Sequence, residues 1–143
     1  MDKAYEAVVE GAVACDEGLI DKALLRVDAV KRSGDPSRVE VVDDDVPGAK
    51  LSRSSYKVLA RSDRATVLDL TPHTGRLHQL RAHCKALGHP IVGDWLYGTG
   101  DANRLCLHAS RLAFDDPALG VRVRVASMAR WTLSEPPELV YVS

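Results

Sequence analysis

The chain is poor in cysteine: only Cys15, Cys84 and Cys106 occur among 143 residues, and no two stand in a Cys-x-x-Cys pair. An odd, scattered set reads as reduced, mostly packed thiols in a cytoplasmic protein. Long hydrophobic runs are missing too. No stretch approaches the roughly 18 apolar residues of a membrane-spanning helix, so no membrane span is expected. The opening MDKAYEAVVEG has neither a basic segment nor a long apolar core, so it does not read as a secretory leader. Internal repeats and low-complexity segments are absent, and the length suits a single domain over residues 1–143. A strong charge of one sign is also lacking, with a formal net charge of −1. The charge is uneven, however. Residues 1–50 hold 12 acidic and 7 basic side chains, whereas residues 51–143 hold 8 acidic and 12 basic. A basic second half is compatible with phosphate contact, although scattered surface Lys and Arg give the same count.

What is present is concentrated between Asp69 and Gly98, DLTPHTGRLHQLRAHCKALGHPIVGDWLYG. Val67–Leu70 reads as a half-buried strand. Thr71-Pro72-His73-Thr74-Gly75 reads as a turn, with Pro fixing φ and Gly supplying an unusual backbone angle. Residues 76–87 then read as a helix, because Leu77, Leu80, Cys84 and Leu87 build one apolar stripe. Thr74 is the expected N-cap, and Gly88 fits the position just past the C-terminus, where His89-Pro90 blocks continuation. Arg81 lies at the edge of the stripe. A half-buried guanidinium there needs a carboxylate, a phosphate or backbone carbonyls. The spacing alone also fits a surface helix whose Arg packs its stem and points to water.

Around this stretch the pattern is mostly β. Residues 3–10 read as a strand closed by Gly11, and residues 18–27 as a short strand or turn-strand piece. Residues 28–37 read as a solvent loop, Arg38–Val42 as a short strand, and Asp43-Asp44-Asp45 with Pro47-Gly48 as a turn. Ser54–Arg61 and Ala65–Leu70 read as an antiparallel pair, with Tyr56, Val58 and Ala60 on one face. Arg104–Phe114 and Val121–Val125 read as strands after a polar loop at 99–103. The fold class expected is α+β: a mixed, mostly antiparallel sheet with the 76–87 helix packed against it. No metal is expected. His73, His78 and His83 are five apart and so do not align on one helix face, and no Cys pair or Glu completes a ligand set. The three consecutive Asp lack the glycine-spaced pattern of a calcium loop.

The central stretch resembles the signature of RluA-type RNA pseudouridine synthases, a Thr-Gly-Arg-x-His-Gln-Leu-Arg-x-His run followed by Gly-x-Pro-Ile-x-Gly-Asp and Tyr-Gly. The matching residues are Thr74, Gly75, Arg76, His78, Gln79, Leu80, Arg81 and His83, then Gly88, Pro90, Ile91, Gly93, Asp94, Tyr97 and Gly98. Lys3-Ala4-Tyr5 with Gly11 is similar to the family's Lys-x-Tyr strand, and Leu105–Ala109 with Leu112-Ala113-Phe114 to its Leu-His-Ala strand. The likeness runs from about residue 3 to residue 126. It implies part of a pseudouridine synthase catalytic domain that isomerises uridine in ribosomal or transfer RNA without a cofactor. It implies a catalytic pair, Tyr5 against the target base and Arg81 beside the nucleophile. It also implies a cleft lined by the helix and the Lys-x-Tyr strand. RNA-facing candidates are Lys3, Arg76, His78 and Lys85, with Arg122 and Arg124 on one strand face.

The sequence contains no Arg-Leu-Asp motif with a Thr-Ser-Gly sequel, the element that carries the family's nucleophilic Asp; Arg26-Val27-Asp28 follows the Lys-x-Tyr strand and lacks the sequel. The expectation is therefore the C-terminal part of a synthase, either a shortened product or one piece of a split enzyme, inactive alone and, if split, completed by a separate N-terminal half. The alternatives are a non-catalytic RNA-binding module, or a protein-interaction remnant that self-associates. Without that Asp, Arg81 must turn to solvent, bind an anion or find another carboxylate, or the fold must loosen.

Overall fold

The alternating Val, Leu and Ala of the first half form strands because each can bury one face and leave the other polar. The computed structural model describes residues 2–27, 38–100, 105–116, 121–126 and 140–141. In chain order these give β1 (Asp2–Glu10), β2 (Glu17–Asp21), β3 (Ala23–Val27), β4 (Arg38–Val42), β5 (Arg53–Arg61), β6 (Ala65–Pro72), α1 (Gln79–Ala86), β7 (Leu107–Asp116), β8 (Val121–Ala126) and β9 (Val140–Tyr141). One sheet runs β2-β5-β6-β1-β7-β8, with β9 also on β5, and β3 and β4 form a separate two-stranded sheet. Every strand pairing described is antiparallel, so the mixed component expected of the sheet does not appear in this part. The segment 18–27 is two strands, not one. Lys22 separates β2 from β3, and its N–H bonds to Ser52 O at 3.2 Å as the chain leaves one sheet for the other. Residues 28–37, expected as a loop, lie outside the described residues.

Register places the Lys-x-Tyr strand at the centre. Tyr5 faces Leu70 of β6 on one side and Ala109 of β7 on the other. The core gathers Ala7, Val8, Val58, Leu68, Leu70, Cys84 and Ile91, all essentially without solvent contact. Each large apolar side chain buried there stabilises the fold by about 1.5–3 kcal/mol. Tyr56, Val58 and Ala60 are buried together, as the alternation of β5 predicts.

Helix α1 packs on β4, β5 and β6. It is shorter than the 76–87 expected, and its N-cap is His78, at φ 49° and ψ 27°, with no side-chain cap. Thr74 is not the cap. Its hydroxyl accepts the Arg53 N–H at 3.1 Å and donates to Gln79 Oε1 at 2.6 Å, so it ties the turn to β5. The left-handed residue of this turn is His78 rather than Gly75. Leu77 consequently leaves the stripe and is 36% exposed, while Leu80 and Cys84 are buried. The C-terminus follows the expected grammar. Gly88 has φ 91°, its N–H bonds to Lys85 O at 2.9 Å, and His89 N–H bonds to Cys84 O at 3.0 Å. This paired closure satisfies two carbonyls that the helix end leaves free.

Candidate functional site

Three pieces of chain meet beside α1: the end of β1, the turn after β6, and the approach to β7. Between them opens a cavity of about 700 Å³. Lys3 and Tyr5 come from β1, Pro72 to Arg76 from the turn, and His78 to Arg81 from the helix start. Leu105, just before β7, and Leu107, its first residue, close it. Among the described residues the lining holds Lys3, Arg76 and Arg81 and no carboxylate. A concave site with a few convergent cations and an aromatic wall suits an anionic, ring-bearing ligand.

The turn is built on Gln79. This side chain is 4% exposed. Its oxygen accepts from the Thr74 hydroxyl at 2.6 Å and the Arg76 N–H at 3.2 Å. Its nitrogen donates to Arg53 O and to Ser54 Oγ, each at 2.8 Å. All four hydrogen-bonding sites of the amide are thus used, and they fix where Arg76 emerges. The Arg76 guanidinium itself reaches Leu51 O, from Nε at 3.3 Å and Nη2 at 3.2 Å. Ser54 passes the network on to His83 Nδ1 at 2.8 Å, and His83 Nε2 donates to Lys22 O at 2.9 Å. Burial disfavours the imidazolium of His83 and lowers its pKa, although the Lys22 carbonyl and Asp21 oppose the shift. A neutral ring donating from Nε2 must accept at Nδ1, so the Ser54 hydroxyl donates there.

Arg81 has found its carboxylate. Nε and Nη2 donate to Asp94 Oδ2 and Oδ1 at 3.0 and 2.8 Å, a bidentate fork. Asp94 is fully buried and the Arg81 side chain is 12% exposed. Oδ1 also accepts the N–H groups of Leu96 and Tyr97 at 3.0 and 2.9 Å. Burial alone would raise the Asp94 pKa, but the Arg81 fork and these two N–H groups outweigh it and hold the carboxyl below its ordinary value. The guanidinium also lies 5.3 Å from the Tyr97 ring centre and 5.8 Å from that of Trp95. Its Nη1 makes no hydrogen bond to the described residues. Of the outcomes open to Arg81, the structure selects a second carboxylate 13 residues along the chain.

Tyr97 stands behind this pair. Its hydroxyl accepts the Val39 N–H at 2.9 Å and lies 3.0 Å from His78 Nδ1. The two rings meet edge to face at 5.7 Å. Burial and the nearby Arg81 charge lower the His78 pKa. A neutral His78 accepts the Tyr97 proton at Nδ1 and keeps its Nε2 proton for other partners.

The sequence-derived candidates therefore divide. Tyr5, Arg81, Lys3, Arg76 and His78 line the one cavity. Lys85 does not; it borders a second cavity of about 380 Å³ between β4 and α1. Arg122 and Arg124 fall on β8, and their side chains lie outside the described residues. Asp94, Gln79 and Tyr97 were quoted as motif letters without roles. The signal for Asp94 was present: a boundary Arg that needed an anion, and a buried Gly-Asp step following its helix. Among the described residues no three His, Cys, Asp or Glu are grouped to hold a metal ion. No helix among them is long and apolar enough to cross a membrane.

The comparisons agree with this fold. The family model described as RNA pseudouridylate synthase matches residues 1–86. The dual-specificity RNA pseudouridine synthase RluA of Yersinia pestis is 40% identical over 123 residues, which cover 82% of this chain and 56% of that protein. The tRNA pseudouridine synthase C of Vibrio parahaemolyticus is 36% identical over 131 residues, covering 82% of this chain and 53% of that protein. The solved structure of human RNA Pseudouridylate Synthase Domain Containing 1 superposes with a TM-score of 0.79 at 29% identity, covering 99% of this chain and 62% of that one. The chain spans about half the length of the curated relatives it matches. The chain belongs to the RNA pseudouridylate synthase family, of the RluA type.

Proposed function

We propose that this chain supplies the base- and RNA-facing half of a uridine-to-pseudouridine isomerase acting on ribosomal or transfer RNA. The observation that carries the reading is the single cavity joining Tyr5 and Lys3 of β1 to Arg76, His78 and Arg81. Tyr5 is placed to stack on a uracil, and Lys3 and Arg76 to meet phosphate. Among the described residues the cavity lining contains no carboxylate, and the reaction needs one as nucleophile. We assign that Asp to a segment outside this sequence, either a separate N-terminal half or a continuation of the same polypeptide. Arg81 is ready for it. With Nε and Nη2 held by Asp94, the guanidinium is fixed in orientation, and Nη1 remains to receive the incoming carboxylate. The Asp would displace N1 from C1′ of the ribose, the freed uracil would turn against Tyr5, and C5 would attack C1′ and release the Asp carboxylate. The C5 proton leaves last, relayed through the Tyr5 hydroxyl that shares the cavity, while N1 takes up a proton in its place.

The test is tritium release from 5-³H-uridine RNA. The chain alone is expected to release none, and addition of an N-terminal segment carrying Arg-Leu-Asp is expected to restore release. Turnover by the chain alone would overturn the assignment of the Asp. Salt-dependent RNA binding with no release under either condition would favour the second reading, a non-catalytic RNA-binding module, which the carboxylate-free cavity also fits.

A further inference from the structure

The two cavities share a wall that is one residue pair thick. His78 lines the first, Tyr97 lines the second, and the Tyr97 hydroxyl lies 3.0 Å from His78 Nδ1. Trp95 occupies the ridge between them. Its ring lies against Arg81, a wall residue of the first cavity, and it directly precedes Leu96 and Tyr97, wall residues of the second. An indole is the most costly side chain to leave in water, yet Trp95 is 66% exposed, the most exposed large apolar residue described. The Arg81 guanidinium that its ring meets is already paired with Asp94, so the charge open to a ligand lies elsewhere on the two linings. The second cavity presents Lys85 and Arg38 over an apolar floor of Val39, Ala82 and Leu96. Arg38 is matched by Glu40 at 3.1 Å, whereas Lys85 makes no ion pair with the described residues. Together the two linings hold five Lys or Arg and one carboxylate, in a chain whose net charge is −1. An exposed indole next to a site for an anionic polymer, with Lys85 in the second lining left without an ion pair to the described residues, has the composition of a single-stranded nucleic-acid track.

We propose that the RNA strand leaving the first cavity crosses the ridge at Trp95, where the base next to the target stacks on the indole, and continues into the groove between β4 and α1, where Lys85 takes a phosphate. This rests on the reading of the first cavity as an RNA site. The packing explains why the ledge is rigid enough to serve. Asp94 is fixed by Arg81 and caps the Leu96 and Tyr97 N–H groups, so the backbone on either side of Trp95 is pinned. A pre-set aromatic platform spends little conformational entropy when a base lands on it.

The experiment measures binding of a uridine-containing stem-loop RNA to the full chain by fluorescence anisotropy across a salt series. Trp95→Ala should weaken Kd roughly 5- to 150-fold, the range of base–aromatic stacking. Trp95→Tyr should restore most of the affinity, and Trp95→Leu, which still covers Arg81 but has no π face, should not. Lys85→Ala should reduce the slope of log K against log salt by about 0.7–0.9, the release of one counterion. In a Trp131→Phe background Trp95 is the sole tryptophan, and its emission should be quenched on binding. Equal affinity for Trp95→Leu and Trp95→Tyr, or an unchanged slope for Lys85→Ala, overturns the inference. If Lys3→Ala and Arg76→Ala then still weaken binding, the reading of the first cavity survives it. Failure of the unsubstituted chain to bind the RNA overturns both.

Discussion

Arg81 and Asp94 form a closed pair: a two-point hydrogen-bonded fork at 2.8 and 3.0 Å, with the carboxylate fully buried. The pair joins α1 to the loop that follows it and sets one wall of the cavity. Removing only one partner leaves the other charge without compensation in a dry place. Asp94→Asn is therefore expected to cost about 3–5 kcal/mol in urea unfolding. Arg81→Met should cost less, because Asp94 keeps the N–H groups of Leu96 and Tyr97. The double variant should be less destabilised than the sum of the two, and strict additivity would contradict a coupled pair.

The same pair fixes an acid limb. The folded Asp94 pKa lies below the ordinary carboxylate value of 3.8. A depressed carboxylate adds stability that is complete above the unfolded pKa and is lost as pH falls through the folded one. Stability should therefore drop below about pH 4. In Asp94→Asn this part of the slope should vanish, and a slope identical to the parent's would show that other carboxylates carry it.

His83 acts at a milder pH. Its folded pKa lies below the ordinary imidazole value of 6.5, so the unfolded chain takes up a proton that the folded chain refuses. Stability from His83 is complete above about pH 6.5 and is lost progressively as pH falls toward the folded pKa. His78 is lowered too and adds in the same direction. Replacing His83 with Gln should flatten the change between pH 7 and pH 5. It should also cost about 1–3 kcal/mol at neutral pH, because Ser54 and the Lys22 carbonyl lose a well-placed partner. An unaltered pH profile for His83→Gln would refute the assignment.

The left-handed backbone at His78 makes a separable prediction. His78→Ala and His78→Gly both lose the contact with Tyr97, but only Gly accepts φ 49° without strain. The glycine variant should be more stable than the alanine variant by about 1 kcal/mol, the reverse of the order inside a helix. Thermal or urea unfolding of the two gives the sign directly.

Thiol chemistry tests the packing. Cys15 is exposed, whereas Cys84 and Cys106 are buried. Burial, helped by the Asp94 charge, pushes the Cys84 thiol up to about 12. A disulfide-forming reagent at pH 8 should label one thiol quickly and the remainder only as the protein unfolds. Fast labelling of Cys84 would mean that the helix does not pack as described.

The sequence by itself determined the elements whose signal is local. Periodicity and punctuation placed β4, the β5–β6 pair and the Gly88 helix end, because hydrophobic alternation, Pro and Gly act within a few residues. The motif spacing also identified five residues that the fold brings to one cavity. What only the tertiary structure decided was where long polar side chains end. Thr74 leaves its helix because β5 offers it a backbone N–H 21 residues away. Helix α1 starts late because Gln79 is recruited into the same strand contact. Arg81 is neutralised by Asp94, and Lys85, only four residues after Arg81, faces a different cavity. Local sequence sets the φ/ψ preferences and the burial pattern of a segment. The partner that satisfies a buried polar group comes from whatever the fold places beside it, and sequence spacing carries no record of that distance.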